Sequence, residues 1–256
     1  MAWDPAQYGL FEAARARPGH DLMAALPPLK PARVVDLGCG AGKLTMALAS
    51  RWTGAEVAGV DSSTSMLGRA AQLDTRVAWE LGDIRQWRPD APVDVVFSNA
   101  ALQWVEGHEA LFPRLLSAVA PGGVLAAQMP RNFASPSHVL LRQVAAEGPW
   151  AERLEGALRE APVHEPAQYY DWLAPASARV DVWETEYLHV LDGADPVLEW
   201  TKGTALLPVL ETLQGAELAD FLERYRAALA VAYPRRADGR TLFPFRRLFI
   251  VATKQG

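Results

Sequence analysis

The chain has little cysteine, no long apolar run and no excess of basic residues, and each shortage excludes a class of protein. Its single cysteine, Cys39, excludes an internal disulfide, and no cluster of Cys and His suggests a zinc site. No run approaches the ~18–20 apolar residues of a membrane span, and residues 1–8 lack the features of a signal peptide. The net charge is −5 and the basic residues are dispersed. We therefore expect a cytoplasmic protein with no nucleic-acid or membrane partner, either a monomer or a weak homodimer.

Strand and helix signals alternate along the first half of the chain, which predicts an α/β fold. Short apolar runs bounded by turn residues predict strands at 34–37, 56–61, 76–81, 93–97 and 122–128. The sequence Pro-Gly-Gly at 121–123 is expected to end the helix before the fifth strand. Patterns farther along predict two more strands, at 180–190 and 246–252, and a helical stretch between them at 195–233. This alternation favours parallel βαβ units with helices on both faces of the sheet.

The first predicted strand runs into a glycine-rich loop, V-V-D-L-G-C-G-A-G at 34–42. Gly38, Gly40 and Gly42 allow the backbone to turn sharply and to approach a ligand closely. Asp36 can fix the loop or orient the ligand. A P-loop needs glycine at 37 and a hydroxyl residue at 44, and this chain has leucine at both positions. A dinucleotide fingerprint that starts at Gly38 needs glycine at 43, where this chain has lysine. The pattern Asp-x-Gly-x-Gly-x-Gly fits a loop for S-adenosylmethionine better than either.

Residues suited to the rest of that cofactor follow the next three predicted strands. Asp61 ends the second strand, where its carboxylate can accept both ribose hydroxyls; a helix cap shared with Ser62 is the structural alternative. After the third strand, Asp83 can accept the adenine amino group with Ile84 against the ring. Met66 could cover the other ring face. The end of the fourth strand supplies the segment where methyl donor and acceptor are expected to meet, with Asn99, Ala100, Gln103 and Trp104.

With these motifs the chain resembles the class I S-adenosylmethionine-dependent methyltransferases and, more closely, the trans-aconitate 2-methyltransferases. The resemblance covers nearly the whole chain. Its more specific motifs are S-N-A-A-L-Q-W at 98–104, Q-M-P-R-N-F at 128–133, Y-Y-D-W-L at 169–173, E-W-T-K-G-T-A-L-L-P at 199–208 and F-R-R-L-F-I-V-A at 245–252. It implies a Rossmann-like sheet of seven strands, mostly parallel with the last antiparallel, and helical cap insertions. It also implies that one carboxylate of trans-aconitate is esterified and S-adenosylhomocysteine released.

A polycarboxylate acceptor makes specific demands on a site. A carboxylate is already an anionic nucleophile at neutral pH, so no general base is required, and Gln103 and Trp104 are assigned to positioning alone. The site must exclude water and dock the carboxylates that do not react, for which bidentate arginine is suited. Arg247 is the first candidate, with Arg246 beside it on a strand that alternates its faces. The other predicted substrate contacts are Tyr187, His189, Trp200, Tyr170 and Arg131.

The chain is predicted to divide into a cofactor-binding core and cap segments. Residues 1–134 are expected to form N-terminal lid helices and the core, and 135–179 a helical or irregular cap segment. Residues 180–256 are expected to hold the last two core strands, with a helical cap insertion at 195–240. The resemblance favours an N-terminal segment that folds over the cofactor, with Tyr8 among its contacts.

Two other functions stay open on the sequence alone. One is a methyltransferase of the same fold that acts on another small acid, a thioester-bound acid or a natural-product phenol. A compact basic pocket would favour a polycarboxylate, and a long apolar tunnel would favour these alternatives. The other is a non-catalytic regulator that binds S-adenosylmethionine. The intact loop, Asp61 and Asp83 argue against it.

Overall fold

A computed structural model describes residues 12–73, 76–158 and 163–256. The strands within these ranges are β1 (Arg33–Leu37), β2 (Glu56–Asp61), β3 (Ala78–Leu81), β4 (Val93–Asn99), β5 (Val119–Pro130), β6 (Ser177–Leu191) and β7 (Thr241–Lys254). The α-helices are α1 (Glu12–Ala24), α2 (Lys43–Arg51), α3 (Thr64–Ala70), α4 (His108–Ser117), α5 (Pro136–Glu147), α6 (Ala151–Leu154), α7 (Pro166–Leu173), α8 (Pro196–Lys202), α9 (Leu207–Thr212) and α10 (Gly215–Ala232). Short 3-10 helices occupy Leu102–Trp104 and Ala174–Ala176.

The strands form one sheet in the order β3-β2-β1-β4-β5-β7-β6. Neighbours among β1 to β5 pair in parallel, whereas β7 pairs with β5 in the antiparallel direction. The predicted seven-stranded sheet with an antiparallel last strand is therefore confirmed. Strand order reverses between β1 and β4, and ligands of such sheets bind outside the carboxyl ends of the strands at that point.

The central strands are nearly continuous apolar runs because helices cover both faces of a parallel sheet. In β1, Val34, Val35 and Leu37 are all buried, so consecutive side chains are covered on opposite faces. The same holds for Val95, Val96 and Phe97 in β4, none of which is exposed. These runs explain why the strands could be located from the sequence.

The predicted end of the fourth helix was wrong. Helix α4 ends at Ser117, and the residues Pro121 to Gly123 lie inside β5. Val119 already pairs with Val93, and the register then shifts before Val124 pairs with Val95. Gly122 has a φ of 73° in this irregular stretch. The glycines therefore lie in an irregular stretch of β5, where five residue steps from Val119 to Val124 face two steps of β4, and they do not terminate the helix.

The described residues divide into two compact units. The first, called the sheet unit, holds the described parts of 16–130, 162–185 and 247–256, including β1 to β5. The second, called the helical unit, holds 186–246 and the described parts of 1–15 and 131–161. Within the described ranges, no helix is both long enough and apolar enough to cross a membrane.

The helical unit has a hydrophobic core of its own, rich in aromatic side chains. Phe221 and Tyr225 are fully buried on α10, and the ring of Trp150 lies 5.1 Å from that of Phe221. The Tyr225 hydroxyl donates to the Ser137 carbonyl at 2.8 Å, and the Tyr233 hydroxyl accepts from the Ser137 amide at 3.0 Å. The predicted helical stretch at 195–233 is divided into α8, α9 and α10 around this core.

Candidate active site

The glycine loop between β1 and α2 has the backbone that its composition predicts. Gly38, Gly40 and Gly42 all have positive φ, at 75°, 54° and 80°. A Cβ on Gly38 would lie 2.2 Å from the Cβ of Ala101, and a Cβ on Gly42 would lie 2.5 Å from the Trp79 ring. A Cβ on Gly40 would meet nothing within 4 Å. The loop is thus packed at both ends and open at its middle glycine, which leaves room for a ligand.

Asp61 holds this loop to the next helix. Its carboxylate accepts the Gly40 amide at 2.8 Å through Oδ2 and the Ser63 amide at 2.8 Å through Oδ1. Ser63, and not Ser62, caps α3, because its hydroxyl accepts the Met66 amide at 3.3 Å. Ser62 is exposed and Met66 half-buried. Since each carboxylate oxygen can accept more than one hydrogen bond, Asp61 keeps capacity for ribose hydroxyls.

Asp36 is buried beneath the loop. It is 2% exposed, and the Thr45 hydroxyl of α2 donates to its Oδ2 at 2.6 Å. Burial raises the pKa of Asp36 to about 7, although the Thr45 hydrogen bond lowers it. Of the two roles predicted for Asp36, this contact supports the first, because it ties β1 to the helix that follows the loop.

Asp83 and Ile84 follow β3 as predicted, with one additional interaction. Asp83 pairs with Arg85 through several hydrogen bonds, the shortest 2.6 Å between Nη2 and Oδ2. Hydrogen bonds from Arg85 hold the pKa of Asp83 below its usual value. Ile84 lies beside the glycine loop, since its Cδ1 would be 3.6 Å from a Cβ on Gly38. Ile84 therefore flanks the loop.

The chain turns sharply after β4, where the donor and acceptor are predicted to meet. Ala100 has a φ of 53°, which is unusual for a residue with a side chain, and its amide donates to the Gln128 carbonyl at 2.8 Å. Gln103 is buried and donates from Nε2 to the Ala100 carbonyl at 2.7 Å, whereas Trp104 is 56% exposed. Asn99 is half-buried, and α1 approaches it closely, because a Cβ on Gly19 would lie 3.2 Å from the Asn99 Cγ.

Arg247 lies at the same edge of the sheet as the loop. Because β7 is antiparallel, its early residue Arg247 pairs with Pro130 at the carboxyl end of β5. Arg247 is 4% exposed and donates to the Gln128 side-chain oxygen at 3.5 Å. Arg246 is exposed, and its carbonyl accepts the Arg131 amide at 2.9 Å. The two arginines thus point to opposite faces, as strand geometry predicts.

Gln128 is not among the residues predicted from the sequence, although it belongs to the quoted motif Q-M-P-R-N-F. It is fully buried, and among the described residues its Nε2 has no hydrogen-bond partner. The available signal was a polar side chain in an otherwise apolar strand, preceded by Val124 to Ala127 and followed by Met129.

The helical unit brings together three of the predicted substrate contacts. Tyr187 and His189 lie on one face of β6, with parallel rings 6.3 Å apart. The Trp200 ring stacks on His189 at 4.7 Å. All three are buried. The half-buried Arg131 belongs to the same unit.

Tyr170 and its neighbour on α7 differ in their surroundings. Tyr170 is 52% exposed, whereas Tyr169 is fully buried and its hydroxyl lies 2.6 Å from Nδ1 of His108. The other ring nitrogen of His108 lies 2.9 Å from the Leu102 carbonyl, which can only accept, so it carries the proton. Tyr169 therefore donates to His108 and serves the packing of α4 and α7. Tyr8 and most of the N-terminal segment lie outside the described residues.

Comparisons with known proteins agree with this geometry. The family model of the methyltransferase domain matches residues 34–123. The chain is 49% identical to a trans-aconitate 2-methyltransferase of Azoarcus sp. (strain BH72), with 98% of this chain and 99% of the relative covered. It is 48% identical to the protein of the same name from Variovorax paradoxus (strain S110), covering 100% and 99%. The chain is 47% identical to the trans-aconitate 2-methyltransferase of Streptomyces avermitilis, with 99% of this chain and 97% of the relative covered.

Solved structures of lower sequence identity share the fold. Haemonchus contortus phosphoethanolamine N-methyltransferase 2, in complex with phosphomonomethylethanolamine and S-adenosylhomocysteine, superposes with a TM-score of 0.57 at 18% identity, covering 94% of this chain and 53% of that one. The YcgJ protein of Bacillus subtilis gives a TM-score of 0.60 at 14% identity, covering 93% and 97%. At these identities the likeness shows the fold alone.

Proposed function

The chain belongs to the trans-aconitate 2-methyltransferase family, and from this membership we propose that it transfers the methyl group of S-adenosylmethionine to one carboxylate of trans-aconitate. S-adenosylmethionine supplies a methyl group on a cationic sulfur, and the products are the monomethyl ester and S-adenosylhomocysteine. Identity that extends over nearly the full length of both chains carries this assignment.

The residues around the loop fit the cofactor. The open side of Gly40 provides backbone that a ligand can approach, and the Asp61 carboxylate stands beside it at 2.8 Å. The Oδ1 of Asn99 is a buried acceptor without a partner among the described residues, which suits the cofactor's ammonium group. We therefore assign cofactor binding to the residues predicted from the sequence, with Ser62 and Met66 beside the ribose and the adenine, and Ala100 and Trp104 at the methyl.

The observation that supports a carboxylate acceptor is the buried cation at the edge of the sheet. A guanidinium that is removed from water is stabilised by an anion that accepts its hydrogen bonds. Arg247 meets this description at the strand end where the chain turns at Ala100. Arg247 is accordingly the proposed anchor for a carboxylate that does not react, while Gln103 and Trp104 position the reacting groups.

Other assignments stay predictions of this proposal. Tyr187, His189 and Trp200 remain predicted substrate contacts, supported by their adjacent buried rings. Arg131, Arg246 and Tyr170 also remain predicted substrate contacts. The segments at 135–179 and 195–240 remain predicted caps. We also propose that the protein is a cytoplasmic monomer or weak homodimer.

Incubation with methyl-labelled S-adenosylmethionine and a panel of di- and tricarboxylates tests the function. We expect label in an ester of trans-aconitate, and mass spectrometry of the product identifies the monomethyl ester. Transfer to a different acceptor with none to trans-aconitate would show that the family's usual substrate is not this protein's.

A further inference from the structure

Gln128 occupies a position in β5 where its side chain shares a face with the predicted acceptor site. It pairs in register with Asn99 of β4 and with Phe249 of β7. Side chains at paired positions of adjacent strands point to the same face, and so do residues two apart along a strand. Asn99, Gln128 and Arg247 therefore lie on one face of the sheet at the edge where the glycine loop opens.

Arg247 fixes which way the Gln128 amide points. A guanidinium has donors and no acceptor, so the hydrogen bond from its Nη1 at 3.5 Å must end on the amide oxygen. Turning the amide over would place its NH₂ group against the guanidinium, with donor facing donor. The Nε2 of Gln128 is consequently held away from Arg247, and it donates to nothing among the described residues.

A buried donor with no acceptor costs free energy that an apolar side chain would not. The neighbouring residues of β5, from Val124 to Ala127 and Met129, are fully buried and apolar. Stability of the strand alone would therefore favour a side chain such as leucine or methionine at 128. The polar amide is explained when Nε2 donates to a bound acceptor during the reaction.

We infer that Gln128 is a substrate-binding residue, which donates from Nε2 to an oxygen of the carboxylate that Arg247 neutralises. This inference rests on the proposed function and adds to it a second, uncharged donor at the acceptor site. An anion is the best partner for both groups, because it can neutralise the Arg247 guanidinium and accept a hydrogen bond from the Gln128 amide. The Gln128 carbonyl also accepts the Ala100 amide at 2.8 Å, so the same residue joins the acceptor site to the turn where the methyl donor is expected.

Gln128→Met tests the inference, since methionine retains the length and lacks the donor. We expect the KM for trans-aconitate to rise roughly ten- to a hundredfold, as for a lost hydrogen bond to a charged group. The Kd for S-adenosylmethionine should stay within about twofold. Ser177→Ala is the matched control, because Ser177 also buries an oxygen that has no partner among the described residues, at the start of β6. An unchanged KM in Gln128→Met would overturn the inference.

A purely structural role, in which Gln128 only braces Arg247, is separated by a double variant. If bracing is its whole contribution, Gln128→Met has no effect on kcat/KM once Arg247→Met is present. A direct donor predicts a further fall of about fivefold or more. A labelled methyl donor keeps the low turnover of the double variant measurable, and equal kcat/KM values for the double variant and Arg247→Met would refute direct contact.

The outcomes also separate this inference from the proposed function. Wild-type enzyme that makes no ester of trans-aconitate refutes the function, whereas wild-type turnover with an unaffected Gln128→Met refutes the inference alone. If Gln128→Met does not fold, Gln128→Glu serves instead, because it retains the shape and the bond to Arg247. It places an anionic oxygen where Nε2 stood, so its KM should rise at least about tenfold over that of the wild type; a wild-type KM would again overturn the inference.

Discussion

At the scale of single residues, the site depends on polar side chains that the fold has removed from water. Asp36, Gln128 and Arg247 are each less than 5% exposed. A buried polar group is retained when it has a partner or a function, because desolvation otherwise lowers stability. Asp36 has the Thr45 hydroxyl as its partner, and Gln128 and Arg247 are proposed to contact the substrate.

Arg247→Ala should raise the KM for trans-aconitate strongly, on the order of a hundredfold, and leave the Kd for S-adenosylmethionine nearly unchanged. The reason is the loss of a charge-assisted contact to a carboxylate that does not react. Steady-state kinetics and calorimetry measure the two quantities. Arg179→Ala is the control, because that side chain is 77% exposed. Unchanged kinetics in Arg247→Ala would remove Arg247 from the site.

Asp36→Asn should abolish a pH dependence of stability. The pKa of Asp36 rises from 3.8 to about 7 on folding, so the folded state binds more protons between these values. Its contribution is therefore complete below pH ~4 and is lost as pH rises through 7, by on the order of 4 kcal/mol. Denaturation by urea from pH 5 to 8 should show this loss in the wild type and not in Asp36→Asn. Parallel curves for the two proteins would contradict the assignment.

At the scale of elements, the predicted site residues lie at the ends of strands. Irregularities in the strands shape these ends. The glycines at 38–42 turn the chain from β1 into α2, whereas Gly122 lies in the irregular stretch of β5. Both segments show the same glycine-rich signal in the sequence. Only the pairing of Val119 with Val93 distinguishes this strand segment from a helix end. This contact is nonlocal, which explains why the fourth helix was predicted to end in the wrong place.

Gly38→Ala should weaken the binding of S-adenosylmethionine. A methyl group there would lie 2.2 Å from the Cβ of Ala101, and its φ of 75° is unfavourable for alanine. The loop must shift, so we expect the Kd for S-adenosylmethionine to rise at least tenfold. Gly54→Ala is the matched control, because a Cβ there would meet nothing within 4 Å. Equal affinities in the two variants would contradict the importance of this close approach.

At the scale of the whole molecule, each of the two units has a hydrophobic core of its own. The sheet unit has apolar strands covered on both faces, and the helical unit has the aromatic core around Phe221 and Tyr225. At the sheet edge, the residues predicted to bind the cofactor and those proposed to bind the substrate carboxylate, Gln128 and Arg247, belong to the sheet unit. A ligand that binds only the native protein should therefore stabilise this unit through mass action.

S-adenosylhomocysteine at about 100 times its Kd should raise the free energy of unfolding by ~2.7 kcal/mol. For a chain of this length that corresponds to a rise in Tm of about 5–10 °C. Differential scanning fluorimetry measures it, and Gly38→Ala should show a much smaller rise at the same concentration. A full rise in Gly38→Ala would place the cofactor elsewhere.

The sequence by itself determined where the seven strands lie, although not where β5 begins, and it determined the glycine loop and the carboxylates Asp61 and Asp83 at the ends of β2 and β3. These features are local: consecutive apolar residues specify a buried strand, and glycines specify a loop with positive φ. Tertiary structure alone decided that Arg247 is buried and Arg246 exposed, that Tyr169 packs on His108, and that the Gln128 amide presents its donor. Each of these depends on contacts between residues far apart in the chain, 119 positions for Arg247 and Gln128, and a local pattern carries no information about them.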